Sequence, residues 1–462
     1  MSYTQDHFEI GGEDLLAAPE PRSVERDARA QTLATEDLPI GTLDDIRVRI
    51  GTLLKTETVS FLLGAGASVG CGGQLIGSVP IRIEHALQEK GISGTTNTVR
   101  HWLSIFYVAA KYSALGDGVP VSLEEILERG ERLRAGNAQP SQANFEQVLA
   151  TLHRWRSALP QTGGRLRVDS SPPLDAQSND IEECLREATD ALAKACELPT
   201  IDKNDGLLSY KMLVRKILTR PLNLKRVNVF TLNYDTLVEQ ASDAEGVILL
   251  DGFVGTQRRV FRPESYEQDV YFPAETTEGR VHRFDRVLHL YKLHGSVTWT
   301  ANEPTIDNPY GVQSAASRPE GAQLLMIYPT PAKYGDTLGL PYSELFRRFA
   351  NTIVRPQSVL FVIGYGFGDE HVNAILLQAL AVPSFTLVIV DPAPQSEFVK
   401  TLREQRDRRV WVAEGSMLGT FAGFVGHALP DLREEEIRKK VLATHRALAK
   451  ASAVDGGVRD GE

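Results

Sequence analysis

Short apolar runs that stop at glycine or at a polar cluster constrain this chain most. Val59 to Leu63 stops at Gly64, and Arg226 to Thr231 leads into Asn233-Tyr234-Asp235. Val287 to Leu293 reaches His294-Gly295-Ser296, Ser358 to Ile363 stops at Gly364-Tyr365-Gly366, and Phe385 to Val390 stops at Asp391-Pro392. Leu324 to Tyr328 and Arg409 to Val412 read as two further strands. Runs this short and this apolar are strands buried on both faces. Helical spacing lies between them, at Asp235–Ser242, Tyr342–Arg348, Asp369–Leu380 and Ser396–Gln405. Apolar strands alternating with helices need a parallel sheet covered on both sides. The expected class is therefore α/β, a doubly wound, Rossmann-like parallel sheet.

The first strand runs into Gly64-Ala65-Gly66-Ala67-Ser68. Glycines there let the backbone approach a pyrophosphate, whose oxygens the amides of the following turn can bind. The place of a third fingerprint glycine is held by Val69. A helix over Ile81–Glu89 completes a strand–turn–helix unit, preceded by an entry helix over Thr42–Lys55. From 98 to 219 the pattern is mostly helical. Ser122-Leu123-Glu124-Glu125 is a capping box, Asn144–Leu159 has one apolar side, and Gly163–Asp180 has the composition of a mobile loop. This stretch is too long for an ordinary crossover, so a helical module with its own core is expected. The division expected is a flexible arm over 1–41, a catalytic Rossmann domain over 42–97 and 220–425, the insertion over 98–219, and a C-terminal helix with a disordered tail over 426–462.

Composition narrows the partners. A net charge of −10 argues against a nucleic-acid surface as the main purpose. No apolar run approaches the ~20 residues that span a bilayer, and Met1 to Asp44 lacks the apolar core of a signal peptide. Cytosolic residence is expected. Cys71, Cys184 and Cys196 contain no Cys-x-x-Cys pair and cannot build a four-cysteine zinc site, so no zinc is expected.

In an open α/β sheet, ligands bind at the carboxyl ends of the strands. The polar clusters can therefore share one cleft. Gly64–Ser68, Thr231-Leu232-Asn233-Tyr234-Asp235, Lys292-Leu293-His294-Gly295-Ser296 and Gly364-Tyr365-Gly366-Phe367-Gly368-Asp369 resemble, in this order, the segments of sirtuin-like NAD-binding proteins. The wording is closest to the zinc-ribbon-less sirtuin-like domains of bacterial anti-phage defence systems, and Asn144-Phe145-Glu146 resembles a further segment of that group. The resemblance implies NAD as substrate. Gly64, Ala65, Gly66 and Ser68 would hold the pyrophosphate, and Asn233 would orient the nicotinamide ribose or the attacking water. His294 would be the general base, and Asp235 would shape the nicotinamide pocket. Gly364, Tyr365 and Gly366 would lie along the adenosine, with Asp391 near its ribose. Asp235 could equally cap the helix after it.

Protein deacylases of that family carry a zinc ribbon of two cysteine pairs after the histidine segment, whereas Val297 to Gly321 contains no cysteine. The resemblance thus implies cleavage of NAD by water, as a regulated effector of anti-phage defence. It also implies a homo-oligomer and control by a HerA-type hexameric DNA-translocating ATPase, with a short Argonaute as the alternative. A deacylase or ADP-ribosyltransferase, and a non-catalytic NAD or ADP-ribose sensor, are the competing expectations.

Overall fold

Both faces of the first glycine-terminated strand are covered, as its run of apolar residues requires. Thr58–Leu63 is buried along its length, with Phe61 and Leu63 in the core on one face and Leu62 in the core on the other. This computed structural model describes residues 6–16, 43–73, 79–93, 98–113, 118–138, 145–160, 164–170, 173–196, 198, 206–272, 282–315, 324–326, 339–434 and 436–437.

A nine-stranded sheet holds the molecule together. Its strands are β1 (His7–Ile10), β2 (Glu13–Asp14), β3 (Thr58–Leu63), β4 (Asn228–Thr231), β5 (Ile248–Leu250), β6 (Val287–Lys292), β7 (Ser358–Ile363), β8 (Thr386–Val390) and β9 (Val410–Glu414). The spatial order is β2-β1-β9-β8-β7-β3-β4-β6-β5. From β9 to β5 every pairing is parallel, while β1 lies antiparallel on β9 and β2 on β1. The chain leaves β3 toward β4 on one side and returns to β7 on the other, so the topological switch point falls between β3 and β7. On one face pack α1 (Leu43–Leu53), part of the chain's return from 207 to 217, and the helix Leu237–Ala244. On the other pack Tyr342–Ile353, Glu370–Leu380 and Glu397–Glu404. This is the doubly wound arrangement expected.

Expectations for several segments need correction. The arm over 1–41 is expected to be flexible, yet His7–Ile10 is a strand of the sheet, paired on one side with β9 and on the other with β2, with Phe8 fully buried and opposite Ala413. Its Asp14 accepts from Phe8 and Leu16 amides and meets the His7 ring, which closes the β1–β2 turn. Gly163–Asp180 is not wholly loop: Arg165–Val168 and Leu174–Gln177 form a hairpin whose Val168, Leu174 and Ala176 are buried. Leu324–Met326 joins a separate antiparallel sheet rather than the parallel one. That second sheet, in the order Phe253–Val254, Arg259–Phe261, Val312–Ser314, Gly295–Ala301 and Leu324–Met326, had no counterpart in the sequence reading. Its short strands gain burial from aromatics that the alternation alone does not single out, notably Phe253, Phe261 and Trp299, whose rings lie 5.0 to 6.2 Å apart.

The helical module is present, with α2 (Val79–Gly91), α3 (His101–Tyr112), α4 (Leu123–Arg134), α5 (Phe145–Ala158) and α6 (Ser178–Cys196). Its separate core runs from Ile83 to Ala193. The helix after the glycine turn therefore packs into the module rather than onto the sheet. Conversely α7 (Leu207–Ile217), expected within the insertion, buries Leu207, Tyr210, Leu213, Val214 and Ile217 against the sheet. The Ser122–Glu125 capping box forms in both directions. Asn144 and residues 438–462 lie outside the described residues.

Candidate active site

The carboxyl ends of the parallel strands are level with one another. Ile363 pairs with Leu63, Leu63 with Thr231, and Thr231 with Lys292. One row of backbone hydrogen bonds continues just past them, from Gly364 N to Val390 O, Gly64 N to Ile363 O, Leu232 N to Leu63 O and Leu293 N to Thr231 O. Asn233 and His294 each stand two residues beyond a directly paired couple on adjacent strands. The segments then touch: Val297 N donates to Tyr234 O at 3.0 Å.

Below the glycine turn lies a closed hydrogen-bond network. Asn233 Nδ2 donates to Gly64 O and to Ser68 Oγ, both at 2.9 Å. Ser68 Oγ donates to Asp235 Oδ2 at 2.6 Å and meets Tyr210 OH at 3.2 Å. Asp235 Oδ1 accepts the Leu237 amide at 3.1 Å. Asp235 thus accepts the first amide of the following helix, whose N-cap position is Thr236, with one oxygen while its other oxygen holds Ser68. Both Nδ2 hydrogens of Asn233 are committed, so the carboxamide plane is fixed and Oδ1 is left as its acceptor. The Ser68 side chain is 3% exposed and faces this network.

The glycines are needed by the protein itself. A Cβ on Gly66 would stand 2.7 Å from Gly364 Cα, and one on Gly64 would stand 2.5 Å from Gly364 O. Gly66 N donates to Gly364 O at 2.8 Å, and Gly364 has φ +65°. The two loops at the switch point therefore pack backbone on backbone, a reason for glycine additional to approach by a phosphate. A Cβ on Gly366 would meet nothing within 4 Å. Tyr365 is buried, and its hydroxyl accepts the Asp369 amide at 3.0 Å, which closes the Gly364–Asp369 loop from inside. Burial pushes that phenol well above its ordinary pKa.

His294 is 6% exposed, and its Nε2 lies 3.3 Å from Asp369 Oδ2. Asp369 also caps the helix Glu370–Leu380 through Oδ1, which accepts from His371 N at 3.1 Å. Phe346 stands between two imidazoles, 6.1 Å from the His294 ring and 4.6 Å from that of His371. Lys292 is 2% exposed; its ammonium donates to Asp235 O and, at 2.8 Å, to Glu239 Oε1. Burial raises the Glu239 carboxyl, and the Lys292 charge opposes that rise. Asp391 ends β8, where its Oδ1 accepts the Ala393 amide at 2.9 Å and burial raises its carboxyl.

Asn233, Asp235, Ser68 and Gly64 are thus joined directly, and Gly66 joins Gly364. Ala65 lies in the same turn, and Asp391 lies two strands away from it, past β7. Sequence reasoning did not assign Asp369, Lys292, Glu239 or Tyr210. Asp369 stands where an N-cap is readable before a helix; Tyr210 reads only as one more apolar position of a helix.

The family model described as the SIR2-like domain matches residues 227–414, the stretch that holds Asn233, His294, Gly364 and Asp391. Among solved structures, the chain is similar to a Sir2 homolog in complex with NAD, at 11% identity and a TM-score of 0.34, covering 84% of this chain and 94% of that one. It is also similar to a mutant Sir2 homologue in complex with 2'-O-acetyl ADP ribose, at 10% identity and a TM-score of 0.29, covering 78% of this chain and 94% of that one. No curated protein matches the chain.

Proposed function

We propose that this protein cleaves NAD with water, releasing nicotinamide and ADP-ribose. The observation that carries the reading is the fixed carboxamide of Asn233, whose Nδ2 is held by Gly64 O and Ser68 Oγ, two residues past the end of the strand adjacent to the one that leads to His294. Oδ1 of Asn233 accepts a hydrogen from the attacking water, and the water oxygen adds to C1′ of the nicotinamide ribose as the C1′–N bond breaks. Nicotinamide leaves with the bonding pair. The proton lost by the water passes to His294 and then to solvent. Asp369 holds the imidazole, the Gly64–Gly66 turn borders the pyrophosphate, and Gly364 and Gly366 border the adenosine. Water is the acceptor because the chain from Val297 to Gly321 has no cysteine pairs for a zinc ribbon to shape an acyl-lysine channel.

A hydrolase of this kind must be restrained until needed. On the resemblance of its motifs, the protein acts as a triggered effector of anti-phage defence, forms a homo-oligomer and answers to a HerA-type ATPase or, as the alternative, to a short Argonaute. The test is to incubate the purified chain with NAD, alone and with each partner, and to quantify nicotinamide and ADP-ribose. His294→Ala should abolish release while NAD binding persists by calorimetry. Absence of nicotinamide release under every condition would refute the enzyme; release only with an acyl-lysine peptide would indicate a deacylase instead.

A further inference from the structure

We infer that Tyr210 is a positioning residue for Asn233, acting through the hydroxyl of Ser68. The inference rests on the reading of Asn233 as the group that orients water. It follows from counting hydrogens. A serine hydroxyl has one hydrogen and two acceptor sites. The Ser68 hydrogen goes to Asp235 Oδ2 at 2.6 Å. Ser68 Oγ accepts one hydrogen from Asn233 Nδ2 at 2.9 Å, so its remaining site is for Tyr210 OH at 3.2 Å, and Tyr210 is the donor. Every valence of Ser68 is then used, and none can rotate away without another breaking.

Tyr210 is suited to that task. It is 1% exposed, and its ring packs on Phe421 with centroids 4.6 Å apart. Burial and the neighbouring Asp235 charge push its phenol well above the ordinary value, which keeps it a neutral donor. Its helix α7 meets the segment just after the glycine turn at a second point one helical turn earlier, where Gly206 lies so close to Gly70 O that no Cβ fits. The hydroxyl is therefore delivered by an element packed closely on the segment that follows the turn. Asn233 receives its orientation from the sheet through Gly64 and from α7 through Tyr210 and Ser68.

The experiment compares wild type, Tyr210→Phe, Ser68→Ala and the double variant. Tyr210→Phe keeps the ring and removes only the donor. Under conditions where wild type cleaves NAD, kcat should fall about tenfold with KM unchanged, and added methanol should capture a larger share of product than in wild type. In the Ser68→Ala background the Tyr210 change should add nothing. Independently of turnover, protein labelled with 15N-asparagine should show the Asn233 amide pair, identified by its absence in Asn233→Asp, shifted or broadened in Tyr210→Phe. Unchanged kcat and product partition together with an unmoved amide pair would overturn the role of Tyr210 while leaving the hydrolase standing. If wild type never cleaves NAD, the hydrolase reading fails, and the amide pair alone decides the inference.

Discussion

His294 Nε2 lies 3.3 Å from Asp369 Oδ2, and both side chains are 7% exposed. The contact ties the end of β6 to the start of the helix after β7, two elements on opposite sides of β3 in the sheet. Asp369 makes two contacts, to the His294 ring and to the amides of the helix cap, and substitution can separate them. Asp369→Asn keeps a side-chain oxygen for the cap and removes the charge; Asp369→Ala removes both. The Asn variant should unfold within a few degrees of wild type, and the Ala variant should lose about 1 kcal/mol from the missing cap. NAD cleavage should fall at least about tenfold in both. Equal turnover in wild type and the Asn variant would assign Asp369 to capping alone.

The glycine contacts give a prediction that distinguishes fold from ligand. Gly364→Ala combines a positive φ with a Cβ driven into the backbone of Gly66 and Ala67, and should cost about 1–3 kcal/mol. Gly366→Ala faces open space and should leave the melting temperature unchanged. If the Gly364–Gly366 loop borders the adenosine, Gly366→Ala should still raise the dissociation constant for NAD. Urea unfolding and calorimetry on the two variants check both parts.

The parallel sheet was legible because its strands are buried on both faces and so carry mostly apolar runs, as in Val59–Leu63 and Val359–Ile363. The clusters at their ends were legible by topology, and the structure brings Asn233, Asp235, Ser68 and Gly64 into one network. The second sheet was not legible, because Arg259–Phe261 and Val312–Ser314 are three-residue strands with too few side chains to show a period. The strand at His7–Ile10 buries only Phe8 fully and carries just one other apolar residue, Ile10, so its place is fixed by pairing to β9 and β2. Tyr210 could not be assigned because its partner Ser68 is 142 residues away in sequence. The glycines were read for a ligand, and their mutual backbone contact depends on loops from β3 and β7 meeting in space.

Lys292 and Glu239 form an ion pair whose ammonium is almost wholly enclosed. Removing one partner of such a pair leaves an unpaired charge. Lys292→Met should cost about 3 kcal/mol or more at pH 7. With the ammonium gone, the largest opposition to the rise of the Glu239 carboxyl is lost, so the folded variant binds a proton more readily than the unfolded chain. Its stability should then increase as pH falls from 7 toward 5. Adding Glu239→Leu should recover part of the loss at pH 7. Urea titrations at two pH values decide this; a single variant as stable as wild type would mean that the pair carries no stability.

His289 gives the acid side of the stability profile. It sits on β6, and burial lowers its imidazole from 6.5 to about 4. Arg226 and Arg283 add to the lowering, while Asp269 and Glu267 oppose it. Above pH 6.5 the ring is neutral in both folded and unfolded chains and contributes no pH dependence. Below that, the unfolded chain takes up a proton that the folded chain resists until about pH 4. The unfolded state binds more protons across this window, so stability falls as pH drops, by about 3 kcal/mol over the full interval. His289→Leu removes the titrating group and should lose about that much less than wild type between pH 7 and pH 4. Parallel slopes for the two proteins would show that the imidazole is protonated without cost in the fold.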